Sequence, residues 1–383
     1  MSAPFYELTG RLAEFDALQE RLREAPRLLV ISAVPRSGVS RLLAQFDETA
    51  AATLVLVDAR PCRDQLDLAM QIADAAIAHL QPAAAVWWQS TSPPTDAPGL
   101  RLARTLSENG IDLDGLRFGA GSPADRLTDA FRLTQTLFGT RPGTIVVDHF
   151  GELLSGLTAS AVRGLLGDLR ILVQRHDTAA LVLVESPDGP VAAALADPEH
   201  PLFRAGQQFV VARAEPARFV SDLAITRPSL PHGVTAALIA AVAELTEGVP
   251  DLVWRTLELS CRDGEPVGAA AEGWRRLQRA AEASLASEWG LLRRVHPHAQ
   301  TVAAALAFDL APTSALANPR SASDALARLR AIGVTWQPQP RMWALSDPLL
   351  TAWIQGHPPP WALRMRVARK SGGARARARA PST

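Results

Sequence analysis

Several residue types are scarce in this sequence, and each shortage narrows what the chain can be. Two cysteines, Cys62 and Cys261, among 383 residues exclude a disulfide scaffold. No uncharged apolar stretch reaches the roughly 20 residues that a bilayer crossing requires. The start, MSAPFYELTGRLAEF, has no basic-then-apolar leader, so a soluble cytoplasmic protein without a membrane partner is expected. Lysine occurs once, as Lys370. Net charge is also missing, because 39 basic residues offset 39 acidic ones. That balance conceals a division: the last 23 residues hold seven basic side chains and no acid, which leaves the rest of the chain with an excess of seven acids. What is abundant is apolar, at 48% of residues, enough to fill the cores of two or three domains and to exclude disorder throughout and a collagen-like chain.

The apolar residues follow two rhythms. Leu8, Leu12, Phe15, Leu18 and Leu22 recur at three and four residues, which predicts an amphipathic helix ending near Pro26. Short apolar runs at 27–33, 53–59, 144–148 and 179–185 alternate with helical segments, including 64–80 and 165–173, and predict a parallel sheet covered on both faces. Between Pro82 and Pro123 the pattern lapses, apart from a weak helical stretch at 100–108, and reads as a partly mobile insertion on the sheet edge. The expected organisation is an α/β domain over 1–214 with an insertion at about 82–122, a helical lid at 215–292, a winged helix at 293–356 and a basic disordered tail at 357–383. The winged helix is read from helices through Leu310, near 313–317 and over 321–332, capped by Gly333, then a hairpin and a closing helix after Asp347-Pro348.

Where the first strand meets its helix, Ala33, Gly38 and Ser40 occupy the first, sixth and eighth positions of the phosphate-loop pattern [AG]-x-x-x-x-G-K-[ST]. In such a loop the backbone N–H groups and the helix start surround phosphate, the hydroxyl ligates Mg²⁺, and the lysine neutralises the β- and γ-phosphates. Here Val39 stands at the lysine position, and the one lysine of the chain lies in the tail. Pro35, Arg36, Ser37 and Arg41 complete the loop, with Arg36 and Arg41 as the replacement cations, although a planar guanidinium is not equivalent to an ammonium. A strand, turn and helix with no ligand is the other reading of the same residues. The run TIVVD ends in Asp148, placed to hold Mg²⁺ with Ser40. His149 follows, as either a proton acceptor or an ordinary polar loop residue, while Glu152 and Glu185 read as structural.

In this order the elements resemble the archaeal-type ATPase family of the AAA+ and STAND P-loop NTPases, which includes relatives of the Orc/Cdc6 replication initiators. The resemblance covers about residues 5–354 without the insertion. Gly10, Arg11 and Glu14 match the family's opening, LLVISAVPRSGVSRLL its nucleotide loop and IVVDHFGELL its acidic strand. LVLVESPDG resembles the sensor strand, with Ser186 at its polar position, and HPLFRAGQQFVV the segment whose arginine, here Arg204, acts as a finger on a neighbouring subunit. LTEGVPDLV matches the lid's Gly-x-Pro turn through Gly248 and Pro250, and WALSDPLLTAWI the close of the winged helix. The resemblance implies a parallel-sheet P-loop core, a helical lid and a winged helix, with ATP or ADP and Mg²⁺ as cofactors. Val39 for lysine and His149 for glutamate depart from the family where hydrolysis is concerned.

Three functions are therefore open. The first is a degenerate nucleotide-binding switch or scaffold with little or no hydrolysis. The second is an active ATPase with an atypical loop, and the third a DNA-binding regulator that has lost nucleotide. Arg320, Ser323, Arg328 and the wing's Arg341 are candidates to meet DNA, interrupted by Asp324, and the tail offers sequence-independent charge. A protein partner or a second copy of the chain is the other kind of partner expected. His296 and His298 flank Pro297 and read as a helix entrance rather than a metal site. Trp87 and Trp88 are either an exposed partner site or packed anchors.

Overall fold

The computed structural model describes residues 10–24, 27–49, 53–90, 97–118, 121–175, 179–187, 189–226, 234–261, 270–316, 318–339 and 342–362. Arg341, residues 119–120 and the tail from 363 onward fall outside them. Among the described residues no helix is long and apolar enough to cross a membrane. The chain divides into two compact units, residues 1–34 with 38–212, and residues 35–37 with 213–383.

The first unit is built on five parallel strands: β1 (Leu28–Ala33), β2 (Thr53–Asp58), β3 (Gly143–Asp148), β4 (Ala179–Glu185) and β5 (Gln207–Val211). Their order is β2-β3-β4-β1-β5, all neighbours parallel, with Ser32 opposite Glu185 and Asp58 opposite Asp148. All six residues of β1 and of β3 are buried. Alternate residues enter two cores, Leu28, Val30, Val55, Ile145 and Leu183 on one face, Leu29, Ile31, Leu54, Val146 and Val182 on the other. Burial on both faces is why these strands appear in the sequence as unbroken apolar runs. Truncating one such residue, as in Leu29→Ala, is expected to cost about 2–5 kcal/mol.

Helices cover the sheet. The second core cluster receives Phe15 and Leu18 of α1 (Leu12–Arg23) and Leu42, Leu43 and Phe46 of α2 (Val39–Thr49). The first cluster receives α3 (Gln65–Leu80), which opens on Asp64, whose carboxylate accepts from the N–H groups of Leu66 and Asp67. Arg11 of the family-like opening is buried and ion-paired with Glu14 at 3.2 Å.

The segment expected as a loose edge insertion is mostly helical. A 3₁₀ turn at Pro82–Ala84 leads into α4 (Ala85–Trp88), followed by α5 (Ala97–Glu108), α6 (Leu113–Phe118) and α7 (Pro123–Phe138). Trp87 and Trp88 are buried anchors, each 5% exposed. Trp88 donates to Asp74 of α3 at 2.6 Å, and Arg117 donates to the carbonyls of Trp87, Trp88 and Ser90 while stacking on the Trp87 ring. Tertiary bonds of this kind order helices too short to persist alone. The sheet side continues with α8 (Phe150–Gly156), α9 (Ala159–Arg175) and α10 (Pro190–Ala196).

In the second unit, α11 (Pro216–Thr226), α12 (Ala236–Leu245), α13 (Pro250–Ser260) and the long α14 (Ala270–Val295) precede α15 (Ala299–Ala307) and α16 (Pro319–Ala331). The short helix expected near 313–317 is a single 3₁₀ turn at Pro312–Ser314. Strands β6 (Thr335–Gln339) and β7 (Met342–Leu345) pair antiparallel, and α17 (Pro348–Gly356) follows. Asp347 starts α17: its Oδ1 accepts from the N–H of Leu349 at 2.8 Å, and proline takes the first helical position, where no N–H is needed.

Candidate nucleotide site

The carboxyl ends of β1, β4, β3 and β2 lie side by side, the edge at which open parallel α/β sheets bind ligands. After β1, Val34 donates its N–H to Val211, and the chain turns through two left-handed residues, Arg36 at φ 62° and Gly38 at φ 83°, before α2 begins at Val39. This is the compact strand-to-helix turn that the Ala33–Ser40 spacing predicts, and it leads directly into the first-turn N–H groups of α2. Ser40 and Arg41 are exposed on that turn, and Ser37 is buried. Val39 is half-buried and packs against the apolar cluster of Leu42, Leu43 and Phe46, so the motif's lysine position holds an apolar side chain set against the core.

The end of β3 is crowded with charge. Asp148 is 5% exposed and its Oδ1 accepts from the N–H of His149 at 2.8 Å. His149 is itself left-handed, at φ 59°, which turns its ring back between two acids: Nδ1 lies 2.9 Å from Glu152 Oε1 and Nε2 lies 3.7 Å from Asp148 Oδ2. The bond to Glu152 raises the imidazole pKa against the opposing effect of burial, with the charge of Asp148 adding to it. Beside them Asp58 is bound by Arg60 through Nε and Nη2, at 3.0 and 2.6 Å, a hydrogen-bonded pair that lowers the Asp58 pKa. Glu152, read in the sequence as structural, is therefore the partner that orients His149.

On β4, between these two ends, Glu185 is buried and accepts from the N–H groups of Val191 and Ala192, so it fastens the start of α10 below the loop carrying Ser186. Burial pushes its pKa up to about 7 in spite of those two donors. Arg204 is not brought to this edge. It precedes β5, at the opposite end of the parallel sheet, exposed and left-handed at φ 53°, with its guanidinium 4.9 Å from the centroid of the Phe203 ring.

The remaining candidates belong to the second unit. Gly248 has φ 69°, and a Cβ there would lie 1.9 Å from the carbonyl oxygen of Ala214, so only glycine fits the turn; Pro250 then opens α13. Glu247, just before it, pairs with Arg213, which also donates to the Ser346 carbonyl and lies 4.8 Å from the Trp336 ring centroid. Arg36 is grouped with this unit through an ion pair to Asp347, Nη2 to Oδ2 at 2.7 Å. Sequence reading named neither Arg213 nor Asp347 as a site residue; Asp347-Pro348 signalled only the start of a helix. Arg320 and Arg328 are exposed on α16, eight residues apart, with Ser323 and Asp324 between them. His298 donates its N–H to His296 Nδ1 at 3.1 Å, and among the described residues no cluster of three His, Cys, Asp or Glu side chains could hold a metal ion.

No protein-family model and no curated protein matches the chain. Solved structures do. The Walker-type ATPase PABY2304 of Pyrococcus abyssi aligns with a TM-score of 0.61 and 16% identity, over 90% of this chain and 95% of that one. The ORC2 protein of Aeropyrum pernix, in its ADPNP-ADP complexes, aligns at 0.47 and 13%, over 94% and 95%. A STAND protein with a tetratricopeptide repeat sensor, PH0952 of Pyrococcus horikoshii, aligns at 0.34 and 12%, over 91% of this chain and 42% of its own. With a five-stranded parallel sheet in the order found here and a likeness to the Pyrococcus abyssi protein along most of both chains, this chain has the fold of a P-loop ATPase.

Proposed function

We propose that the chain binds ATP or ADP at the Ala33–Arg41 loop and acts as a nucleotide-dependent switch or scaffold with little or no hydrolysis. The observation that carries this reading is the contrast within one loop: the turn runs through Arg36 and Gly38 into the first N–H groups of α2, while Val39 is half-buried and packed against the core. Such a turn serves phosphate through backbone donors. A lost ammonium removes stabilisation of charge that develops in the transition state, so turnover suffers more than binding. The donors suit a hard divalent cation as well, since Ser40 and Asp148 offer oxygen. When bound, Mg²⁺ would neutralise phosphate charge, with Ser40 and Asp148 holding it. His149, raised in pKa, is a poor proton acceptor while it is protonated, and its cation competes for the Asp148 field.

On this reading the helices around the Gly248-x-Pro250 turn form the lid, and the segment from α15 to α17 is a winged helix. Arg320 and Arg328, exposed on α16, favour a second reading in which that segment docks DNA phosphates. Calorimetric titration with ATP and ADP, with and without Mg²⁺, alongside a phosphate-release assay, tests the proposal. Saturable binding with release near background is the expected result; turnover at about 1 per second or faster overturns it.

A further inference from the structure

Arg36 is one of two arginines in the loop that carries Val39 at the motif's lysine position, and its guanidinium is already engaged. Its partner, Asp347, is 4% exposed and holds two positions at once, Oδ1 on the Leu349 N–H as the cap of α17 and Oδ2 on Arg36. The pair lines a small cavity of 130 Å³ together with Glu288, Gly333, Val334 and Ser346. Arg213 also faces Asp347 electrostatically, being held on the adjacent Ser346 carbonyl, so Asp347 keeps a second cation in its field. Glu288 shares the cavity, and burial, with Asp347 adding repulsion, raises its pKa.

We infer that the Arg36–Asp347 ion pair is a charge latch on the phosphate loop, in which Asp347 occupies the guanidinium that a polyphosphate would use and competes with it. The inference rests on the nucleotide reading of the loop. One guanidinium on a half-exposed arm cannot give its best planar face to a buried carboxylate and to a phosphate simultaneously. Ligand binding therefore includes the cost of opening the pair, and by linkage the closed pair lowers apparent affinity. Opening leaves Asp347 with its helix-cap bond and the field of Arg213, which keeps the carboxylate from being stranded in the protein interior. Asp347 then sets affinity for ligand charge without touching the ligand, as a positioning residue.

The geometry supplies a clean variant. Asp347→Asn keeps Oδ1 as an N-cap acceptor, for which asparagine equals aspartate, and removes the charge that holds Arg36. Arg36→Asn removes the guanidinium and suits the left-handed backbone at that position. ATP and inorganic tripolyphosphate are titrated into the full-length wild type, both single variants and the double variant. Asp347→Asn is expected to tighten both ligands about tenfold, the return of one charged hydrogen bond. Arg36→Asn should weaken both, and the double variant should match Arg36→Asn, since without the guanidinium there is nothing to release. Should Asp347→Asn fail to fold, Asp347→Ser keeps a cap and carries the same expectation. Unchanged or weaker affinity in a charge-removed variant of a protein that binds ATP overturns the latch and leaves the nucleotide reading standing. If neither ligand binds the wild type, Asp347→Asn or Val39→Lys, the nucleotide reading falls and takes the latch with it.

Discussion

The ends of β1 and β3 lie along one edge of the same sheet, yet they are charged in opposite ways. After β1 the residue positioned for a cation is apolar and packs with Leu42, Leu43 and Phe46. After β3, Asp148, His149 and Glu152 sit beside the Asp58–Arg60 pair, so that almost every side chain is ionisable. The comparison shows that the two ends differ in more than the one residue at the lysine position of the motif. Val39 belongs to a core, whereas His149 brings a proton-dependent cation next to the acid expected to serve Mg²⁺. One end offers backbone N–H groups with Arg36 and Arg41 in the loop, and the other a balance of fixed charges.

The strand between them gives the largest effect by which to sharpen this contrast. Glu185 has its pKa raised from 4.5 to about 7, so the folded chain keeps a proton that the unfolded chain releases. Its contribution is fully present below about pH 4.5 and is lost as pH rises through about 7, on the order of 3 kcal/mol in all. Glu185→Gln cannot titrate. Denaturant unfolding at pH 5 and pH 8 should therefore show a smaller difference in stability for the variant than for the wild type. Equal differences in the two proteins would mean that Glu185 is ionised throughout and that β4 is as conventionally charged as a surface strand.

Next in size is the direct repair of the loop. Val39→Lys restores the cation while its methylene stem replaces the apolar contacts of valine. ATP affinity should rise about tenfold or more, the equivalent of at least about 1.4 kcal/mol, as read by titration. No change would place phosphate elsewhere than at this loop and erase the contrast between the two ends.

How far these features were legible in the sequence follows from the same physics. The runs that became β1, β3 and β4 stood out because each strand is buried on both faces. The left-handed turn after β1 was readable from Gly38 and the motif spacing. The stretch at 100–108 was readable and lies within α5, but α4 and α6 were not, because they are four and six residues long, too short to display a helical period, and are fixed by Trp88 on Asp74 and Arg117 on three carbonyls. Asp347 was legible as a cap, a local property, but its bond to Arg36 joins residues distant in sequence that no periodicity relates. The same holds for Arg213 with Glu247 and Ser346. Local chemistry could be read from spacing, while ion-pair partners had to be seen in three dimensions.

A smaller effect tests the charged end. The hydrogen bond from Glu152 is the leading cause of the raised His149 pKa, so Glu152→Gln should lower it, as followed by the imidazole resonances in an NMR titration. The sign has a consequence for stability. A histidine with a raised folded pKa stabilises the fold below its unfolded pKa near 6.5, and that stabilisation disappears as pH rises through the folded value. The variant should show less of this loss than the wild type. A His149 titration indifferent to residue 152 would make Asp148 the dominant partner and the turn after β3 a simple acid–histidine pair.

The smallest effect concerns the end of the sheet opposite both. Arg204 precedes β5, so in a parallel sheet it lies away from the Gly38–Arg41 part of its own loop, and any phosphate it meets belongs to a second copy packed head to tail. Arg170 holds the segment in place by donating to the carbonyls of Pro201 and Phe203, which leaves the Arg204 head exposed above the Phe203 ring. A loop without its own ammonium gains more from a neighbour's guanidinium than a complete one does. The expected outcome is that nucleotide promotes self-association and that Arg204→Asn, compatible with the left-handed backbone, weakens it by about fivefold with unfolding unchanged. An ordinary exposed contact contributes under about 1 kcal/mol and shows no dependence on nucleotide. Sedimentation over a range of protein concentrations, with and without ATP, separates the two. A monomer under every condition removes the finger and confines whatever positive charge the loop receives to Arg36 and Arg41 of its own chain.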